Sequence, residues 1–487
     1  MNNLLGQYIF LHGYSRWHCE DGLNSPENLE AAVSRSERMH ASRFPQLTPV
    51  IMNAFDMVRA GKVMPAMRSL QYAGPAIERN HVRIYNTWGG LIDTPARFGQ
   101  AFYLLLCGSG IGFSVQPQHI MRLPCVPPAR SVMPHRVEDS IEGAAQALDA
   151  LVCGRYAGLR LNFDTRDIRD AGSPCRTSGG YAPGPGPIEE LALKAHAIFD
   201  HAEGRRLKSI EAYDLLCHIA EAASAGAFGR SAMLALFSPD DNEMCQAKSA
   251  DWHLLAPWRR YSNNSAVLLR DKADRTQLRA LLEACREWGD PGVYWTDNPD
   301  YCSNSCVEAG FDPVLTLNKC QADRLGRSPG ERVTGWQGCT LSEINVNAVQ
   351  DDKDLILAAR AAAIINTLQA AYTDIEQILG LESRWLCERD ALIGVGMTGM
   401  MDKPHIGLDY DLQTRAAQEV RRTNIEVSTI IGIRPAVRCT LIKPAGKTSL
   451  IFGGTTHGIH PRHAENYFMR ISTKPHHPAY KYFKQHY

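Results

Sequence analysis

The pattern of hydrophobic and polar positions changes once along the chain, near residue 83. Before it, the segments SPENLEAAVSRSERMHA and TPVIMNAFDMVRAGK each begin with a hydroxyl residue followed by proline, a pair that suits the start of a helix. After it, short apolar runs cut by glycine, such as GIGFSV and LIGVGMTGMMD, alternate with helical patterns such as LILAARAAAIINTLQAAYTDIEQIL. The pattern therefore predicts a helical N-terminal region at residues 1–82 and an α/β fold at residues 83–487.

Two stretches interrupt this alternation. Residues from about 125 to 186 are rich in proline and glycine around the segment VEDSIEGAAQALDALV and end in APGPG, which predicts an inserted subdomain with a loop. Residues 320–338 are polar and contain glycine, which is typical of a surface excursion between two elements. Neither stretch changes the α/β prediction.

Composition narrows the class of protein. With 487 residues, 44% of them hydrophobic and 21% charged, the chain can bury a large core. Basic and acidic residues both number 52, so we expect no direct nucleic-acid binding. No run reaches the ~18 apolar residues of a membrane helix, and we expect a cytoplasmic protein without a membrane segment. The fourteen cysteines are scattered in apolar settings, which favours buried thiols over disulfides.

The segment NSCVE carries the most informative chemistry. In an extended segment, Asn304, Cys306 and Glu308 would lie on one side, because side chains alternate along a strand. A cysteine radical can take a hydrogen atom from a sugar, a carboxylate can take a hydroxyl proton, and an amide can hold the sugar. Downstream, Cys339 in GCTLSEIN would supply a reducing thiol. The alternative is a turn containing asparagine and serine beside a buried cysteine.

A zinc site is a second alternative for the cysteines of this region. Its ligands would be Cys302, Cys306, Cys320 and Cys339. Their spacing lacks the paired CxxC pattern of structural zinc sites, so we expect no metal site.

Taken in order, these segments resemble the ribonucleotide reductase family, most closely its adenosylcobalamin-dependent members and related phage enzymes. The resemblance runs from about Tyr8 to the C-terminus. It implies the family's barrel of strands and helices, with the radical cysteine on a loop inside it. The matching segments include PAMRSL, RIYN, LLLCGSGIGFSVQ, VEDSIEG, GGYAPGPGP, SAMLALFSPDD, SNNSAV, NSCVE, GCTLSEIN, IGVGMTGMMD and KPAGKTS through GGTTHGIHPRH.

The resemblance implies a role for each residue of the radical site. Cys306 would be the thiyl residue, Glu308 the acid/base group, Asn304 the amide that holds the sugar, and Cys339 one of two electron-delivering thiols. The family places the second of these thiols directly after the asparagine of the YN segment, where this chain has Thr87. A threonine cannot form a disulfide, so the usual two-electron reduction is in doubt.

The resemblance also implies two nucleotide sites. The substrate-phosphate loop would consist of Pro444, Ala445, Gly446, Lys447, Thr448 and Ser449, whose backbone N–H groups could approach anionic oxygens. Its alternative is a Pro-Gly turn with a surface lysine. Asp93 matches the position where family members bind an effector nucleotide, and its alternative is a helix N-cap pair with Thr94.

We therefore expect the catalytic chain of a ribonucleotide reductase in a bacterium or a phage-infected cell. Its radical source would be adenosylcobalamin or, alternatively, a separate metal-containing subunit. Its partners would be a ribonucleoside di- or triphosphate, an effector nucleotide and a thiol reductant such as thioredoxin. Family proteins continue past the equivalent of Tyr487, so we expect missing last barrel elements and a separately encoded C-terminal fragment.

Two other functions stay open at this point. Thr87 is consistent with a radical enzyme on the same scaffold that uses another reductant, such as formate or an external thiol. The altered phosphate loop, and the loss of one of two family arginines at Arg230, are consistent with an inactive nucleotide-binding relative that needs a C-terminal piece.

Overall fold

The computed structural model of the chain describes residues 4–20, 23–175, 181–226, 232–471, 473 and 477–486. Arg230 lies outside the described residues, as do residues 176–180 of the predicted insertion. The strands are β1 Trp17–Glu20, β2 Leu23–Pro26, β3 Val63–Pro65, β4 Thr87–Leu91, β5 Gly110–Ser114, β6 Ser131–Arg136, β7 Leu159–Asp164, β8 Met233–Phe237, β9 Ser262–Leu269, β10 Gly292–Thr296, β11 Cys302–Ser303, β12 Gly310–Phe311, β13 Val314–Thr316, β14 Arg332–Thr334, β15 Gln337–Asn345 and β16 Ile393–Thr398.

Helices fill most of the connections between these strands. The α-helices are α1 Leu4–Gly13, α2 Leu29–Arg43, α3 Thr48–Arg59, α4 Met67–Tyr72, α5 Pro75–Arg79, α6 Ala96–Leu106, α7 Pro117–Ile120, α8 Ile141–Tyr156, α9 Gly186–His201, α10 Ser209–Ser224, α11 Asn242–Cys245, α12 Trp252–Leu255, α13 Arg275–Cys285, α14 Lys319–Leu325, α15 Asp352–Ala370, α16 Glu376–Asp390, α17 Pro404–Gly407, α18 Tyr410–Ile431, α19 Gly446–Ile451 and α20 Pro478–His486. Short 3₁₀ segments are Pro45–Leu47, His81–Ile84, Pro257–Tyr261 and Val346–Ala348.

One large sheet organises the described part of the chain. Its order is β10-β9-β8-β5-β4-β15-β16. Strand β3 also pairs with β15, on the same edge as β4 but further along the strand. The strands from β10 to β4 are parallel to their neighbours, β15 runs antiparallel to β4, and β16 runs parallel to β15. Helices cross between the parallel strands, as α6 does between β4 and β5, because parallel neighbours need a long connection. The predicted α/β fold is confirmed, and its sheet is a curled half-barrel.

The core explains why the central strands lack an alternating pattern. Every residue of β4, β8 and β15 is buried, as expected for strands covered on both faces. Helix α15 packs against β15 and β16 on one face and against α18 on its other side. The opposite face of β4 and β5 holds the small hairpin described below.

The predicted N-terminal region contains α1 to α5, the β1–β2 hairpin and β3, and β3 joins the main sheet. In the predicted insertion, β6 and β7 form a separate parallel pair joined by α8. Ser140 caps α8 by accepting a hydrogen bond from the Gly143 N–H at 2.8 Å, which explains the SIEG part of VEDSIEG. The division of the chain into these domains stays a prediction.

None of the described helices is both long enough and apolar enough to cross a membrane.

Candidate functional site

The NSCVE segment forms the tip of a hairpin that lies across the main sheet. Strands β11 and β12 pair with each other and contact β4 and β5. Glycines in β4 and β5 allow the hairpin to pack closely against the sheet. A Cβ on Gly112 would lie 1.7 Å from the Ser303 carbonyl oxygen, and one on Gly89 would lie 2.8 Å from the Cys302 Sγ. Larger residues at these positions would push the hairpin off the sheet.

The hairpin tip is a turn, not an extended strand. The Asn304 Oδ1 accepts the Ala309 N–H at 3.1 Å, and the Ser303 hydroxyl donates to the Ala309 carbonyl at 3.0 Å. Val307 has a φ of 67°, which tightens the turn. Strand alternation therefore does not align Asn304, Cys306 and Glu308, and the local geometry is that of the alternative turn interpretation.

Cys306 and Glu308 occupy different environments at this tip. Cys306 is exposed, but neighbouring groups partly desolvate its thiol. This desolvation raises the pKa of the thiol, and the charge of Glu308 raises it further. A hydrogen bond with Ser305 and the charge of Lys443 lower the pKa of Cys306. The Glu308 Oε2 is buried and has no hydrogen-bond partner among the described residues. The tip thus combines an accessible thiol, held as S–H at neutral pH, with an acid oxygen free to bind a ligand.

Cys339 lies inside the half-barrel, directly opposite Thr87. The two are register partners across β15 and β4, so both side chains lie on the face that carries the hairpin. Cys339 is buried, and its pKa is raised by burial and by the charge of Glu308. The Thr87 Oγ1 is buried without a hydrogen-bond partner in the described structure. A hydroxyl therefore occupies the place where the family resemblance implies a second thiol.

A buried ion pair, missed in the sequence, lies on the same face. Lys443 Nζ is 2.8 Å from Glu343 Oε2, and the Glu343 side chain is completely buried. Glu343 is four residues after Cys339 in β15, and Lys443 immediately precedes the predicted phosphate loop. The sequence signal was an acidic residue at an inward position of an apolar strand. It gave no indication of the partner.

The predicted phosphate loop forms a turn and the start of α19. Ala445 adopts a left-handed conformation, with a φ of 55°, just before the helix. The Thr448 hydroxyl is 3.3 Å from the Tyr14 hydroxyl, and the Ser449 hydroxyl is 2.8 Å from the His457 Nδ1. Pro444 and Gly446 are exposed, and Lys447 is half-buried. Residues 444 and 445 form a turn that leads into α19, directly after Lys443 of the buried ion pair. The half-buried Lys447 does not match the surface lysine of the alternative, and the phosphate-binding role stays a prediction.

Asp93 lies in a polar cavity of about 450 Å³ at the end of β4. Its carboxylate accepts hydrogen bonds from the Thr334 hydroxyl at 2.9 and 3.0 Å and from Arg122 at 3.2 Å. It does not cap α6, because the N-cap position of that helix is Pro95. The N-cap alternative is therefore wrong. Three acidic residues, Asp93, Asp300 and Glu382, line the cavity together with four arginines, which are Arg97, Arg122, Arg327 and Arg332.

The described residues bear on the zinc alternative for the cysteines of this region. Within the described residues, no group of three or more His, Cys, Asp or Glu side chains has a geometry that could hold a metal ion. The four cysteines of the zinc alternative are all described. The structure gives that alternative no support.

Comparisons with known proteins agree with the resemblance. No protein-family model matches the chain. The chain is 22% identical to an adenosylcobalamin-dependent ribonucleoside-triphosphate reductase of Levilactobacillus brevis, over 96% of this chain and 74% of that protein. It is 24% identical to a putative enzyme of the same description from Mycobacterium phage D29, over 96% of this chain and 75% of that protein.

The fold is similar to that of a solved ribonucleotide reductase. A crystal structure of a B12-dependent, class II ribonucleotide reductase superposes with a TM-score of 0.73 at 20% identity, covering 94% of this chain and 75% of that one. The fold implied by the resemblance is therefore confirmed in the form of a partial barrel. The chain is thus similar in sequence to adenosylcobalamin-dependent ribonucleoside-triphosphate reductases, a phage protein among them, and in fold to a class II ribonucleotide reductase.

Proposed function

We propose that the chain is the catalytic chain of a ribonucleotide reductase that converts ribonucleotides to deoxyribonucleotides through a Cys306 thiyl radical. The observation that carries the proposal is the hairpin, which packs on the glycines of β4 and β5 and carries Cys306 and Glu308 at its tip. The charge of Glu308 adds to the raised pKa of both the Cys306 and the Cys339 thiol, which supports placing the three groups in one site. The sequence similarity supports the same reaction.

Three residues of the hairpin would each act on a different part of the ribose. The Cys306 radical takes the 3′-hydrogen of the ribose, forming an S–H bond and leaving a carbon radical. Glu308 takes the proton of the 3′-hydroxyl and, as the acid/base group, returns a proton to the 2′-hydroxyl, which then leaves as water. Asn304 holds the tip through its Oδ1 and would orient the sugar. The raised pKa of Cys306 suits this role, because hydrogen-atom chemistry uses the neutral thiol and not the thiolate.

The reduction needs two electrons, which a pair of thiols supplies when it becomes a disulfide. Cys339 would deliver one of them. Thr87, its register partner, cannot deliver the other. We therefore propose that an external thiol reductant, such as thioredoxin, completes the reduction.

Adenosylcobalamin is the proposed cofactor, since the relatives are named as dependent on it. The exposed Cys306 and the 48% exposed side chain of Val307 fit a bulky group that approaches the tip from outside. Val307 would contact it, and when bound it would supply the radical that oxidises the Cys306 thiol. A separate metal-containing subunit is the alternative source.

Two nucleotide sites complete the proposal. Residues 444–449, at the start of α19, would hold the phosphates of a ribonucleoside di- or triphosphate, and the arginine-lined cavity at Asp93 would bind an effector nucleotide. The four arginines of that cavity suit a polyphosphate, and Asp93 suits a ribose hydroxyl. A separately encoded C-terminal fragment is a further proposed partner. Because the product is a DNA precursor, we place the enzyme in the cytoplasm of a bacterium or a phage-infected cell.

Incubation of the chain with labelled ribonucleoside triphosphate, adenosylcobalamin and a dithiol tests the proposal. We expect a deoxyribonucleotide from the unaltered chain and none from Cys306→Ala. Omitting the cofactor should abolish the product, and a cobalamin-independent product would favour the separate subunit. Undiminished activity of Cys306→Ala would refute the radical site.

Thr87 specifically favours a second candidate, a radical enzyme on the same scaffold with another reductant. In that case product would form with formate and not with a dithiol. Nucleotide binding without any turnover, even with a supplied C-terminal fragment, would instead identify an inactive relative.

A further inference from the structure

The hairpin that carries Cys306 begins and ends at the wall of the Asp93 cavity. Asp300, two residues before β11, lines this cavity, and so does Val314, three residues after β12. The chain between these two residues consists of β11, the tip, β12 and short connections. Six positions separate Asp300 from Cys306. A ligand in the cavity would therefore lie against both legs of the hairpin.

The carboxylate of Asp300 has one partner in the core and one in the cavity. Its Oδ1 accepts a hydrogen bond from the His119 Nε2 at 3.1 Å, and the His119 Nδ1 is 2.8 Å from the Ser114 hydroxyl. Ser114 is the last residue of β5, one of the two strands beneath the hairpin. The Asp300 Oδ2 accepts a hydrogen bond from the Arg332 guanidinium at 2.9 Å. One carboxylate thus joins the sheet under the hairpin to an arginine of the cavity.

The two partners of Asp300 differ in how firmly they are held. The His119 side chain is 0% exposed and both of its ring nitrogens are bonded, whereas the Arg332 side chain is 61% exposed. The hydrogen bond from His119, followed by that from Arg332, lowers the pKa of Asp300, so the carboxylate is ionised at neutral pH. A partly exposed ion pair contributes little free energy, while a phosphate offers an arginine two charge-assisted hydrogen bonds. Arg332 is therefore the partner that a polyphosphate can take.

The second leg of the hairpin is joined to the same wall. Strand β13, which follows β12, pairs with β14, where Thr316 is the register partner of Arg332 and Val314 that of Thr334. The Thr334 hydroxyl donates to both oxygens of Asp93 at 2.9 and 3.0 Å. A nucleotide that contacts Asp93 and Arg332 would therefore act on β14, and through β13 on the leg that follows β12.

We propose that a nucleotide polyphosphate bound in the Asp93 cavity controls the radical hairpin by taking Arg332 from Asp300 and loosening the leg that leads to Cys306. Without the ligand, Arg332 pairs with Asp300 and the tip stays against the sheet. With it, Asp300 keeps only His119 and the tip opens more often. The ligand favours this second state because it gains the Arg332 contact only there.

The nucleotide would thereby regulate access of the radical source to the Cys306 thiol. The inference rests on the proposed reductase function, in which this cavity is the effector site.

Alkylation of Cys306 by iodoacetamide at one fixed pH, followed by mass spectrometry, measures how often the tip is open. In the unaltered chain, saturating dATP should raise the rate about fivefold, the most that a partly exposed ion pair contributes. In Asp300→Asn, the amide oxygen can still accept the His119 hydrogen bond, but the charge that holds Arg332 is gone. This variant should react about fivefold faster without dATP and should not respond to it further. Arg332→Gln should behave in the same way.

Two further variants separate this control from a general loosening of the chain. Asp297→Asn is the matched control, because Asp297 lies in the same connection, is 75% exposed and pairs with Arg270 at 3.0 Å. It should keep both the basal rate and the dATP response. In Arg122→Ala, the dATP concentration for half of the effect should rise about tenfold, because Arg122 lines the cavity.

Three outcomes would overturn the proposal. The first is an alkylation rate that dATP leaves unchanged or lowers in the unaltered chain. The second is an unchanged half-effect concentration in Arg122→Ala, which would mean that dATP acts from another site. The third is an equal rise in the alkylation of the buried Cys339 in Asp300→Asn, which would indicate general unfolding.

The alkylation assay needs no reductase activity, so it distinguishes this inference from the proposed function. If the chain reduces no ribonucleotide but the dATP response appears and depends on Asp300, the reductase function fails and the control of the hairpin stands. If the chain reduces ribonucleotides but Cys306 alkylation does not respond to dATP, the control is refuted and the reductase function stands.

Discussion

Replacing Thr87 by cysteine tests the arrangement of β4 and β15 and the missing thiol together. The two residues of an antiparallel register pair have Cα atoms about 4.5–5.5 Å apart, within the range of about 4.4–6.8 Å that a disulfide needs. Thr87 and Cys339 form such a pair. We therefore expect Thr87→Cys to form a disulfide with Cys339 under oxidising conditions.

The energetic cost of this substitution should be small. Thr87 is 3% exposed, and its hydroxyl has no hydrogen-bond partner among the described residues. Removing a buried unsatisfied hydroxyl gains roughly 1–3 kcal/mol, while the lost methyl group costs about 1 kcal/mol. The reduced variant should thus be as stable as the unaltered chain to within about 2 kcal/mol. Closing the long loop should then stabilise the oxidised form by about 2–4 kcal/mol.

The assay is peptide mapping by mass spectrometry after diamide treatment, with and without reduction, together with thermal unfolding of both forms. Dithiol-dependent turnover should exceed that of the unaltered chain, because Cys339 then has a redox partner. Thr87→Ser, which keeps the hydroxyl, should give neither the cross-link nor the gain. A folded Thr87→Cys protein that never forms the cross-link would refute the strand register, and a cross-link without faster turnover would refute the role assigned to this position.

Four further outcomes follow from the site. Glu308→Gln should lower kcat by about 10²–10⁴-fold with the melting temperature unchanged, and an unchanged kcat would remove Glu308 from the mechanism. The same variant lacks a negative charge that raises the pKa of Cys306, so the pH profile of Cys306 alkylation should move to lower pH, and a move to higher pH would contradict the sign. Gly112→Ala should destabilise the chain by about 1–3 kcal/mol in chemical unfolding, because its Cβ meets a hairpin carbonyl oxygen, whereas Gly186→Ala, with nothing within 4 Å, should not. Arg122→Ala should weaken nucleoside triphosphate binding at the Asp93 cavity about tenfold by calorimetry, and unchanged affinity would place the effector elsewhere.

The fold class was predictable from the sequence because its cause is local. Apolar runs of five or six residues, such as β5 and β16, alternate with long helical patterns such as α15, and this combination produces a sheet covered by helices. The order of strands was not predictable from pattern alone. It depends on which buried faces fit together, as β3 shows by leaving the helical N-terminal region to pair with β15.

The site was predictable only in part, because much of it depends on contacts distant in sequence. Cys306 and Glu308 could be chosen from their motif, but the turn at the hairpin tip depends on the glycines of β4 and β5. Asp93 could be singled out, yet its bond to Thr334 joins residues 241 positions apart. Lys443 could not be linked to Glu343, because the lysine reaches it across an intervening strand.

The central claim is that Cys306 starts radical chemistry on a ribose, and the most direct test is cleavage of the 3′ carbon–hydrogen bond. This step precedes the reduction. With a ribonucleoside triphosphate deuterated at the 3′ position, product formation should show a primary isotope effect in the unaltered chain and should be absent in Cys306→Ser. Product formed by Cys306→Ser at the original rate, or a rate that deuterium at the 3′ position does not change, would contradict the account.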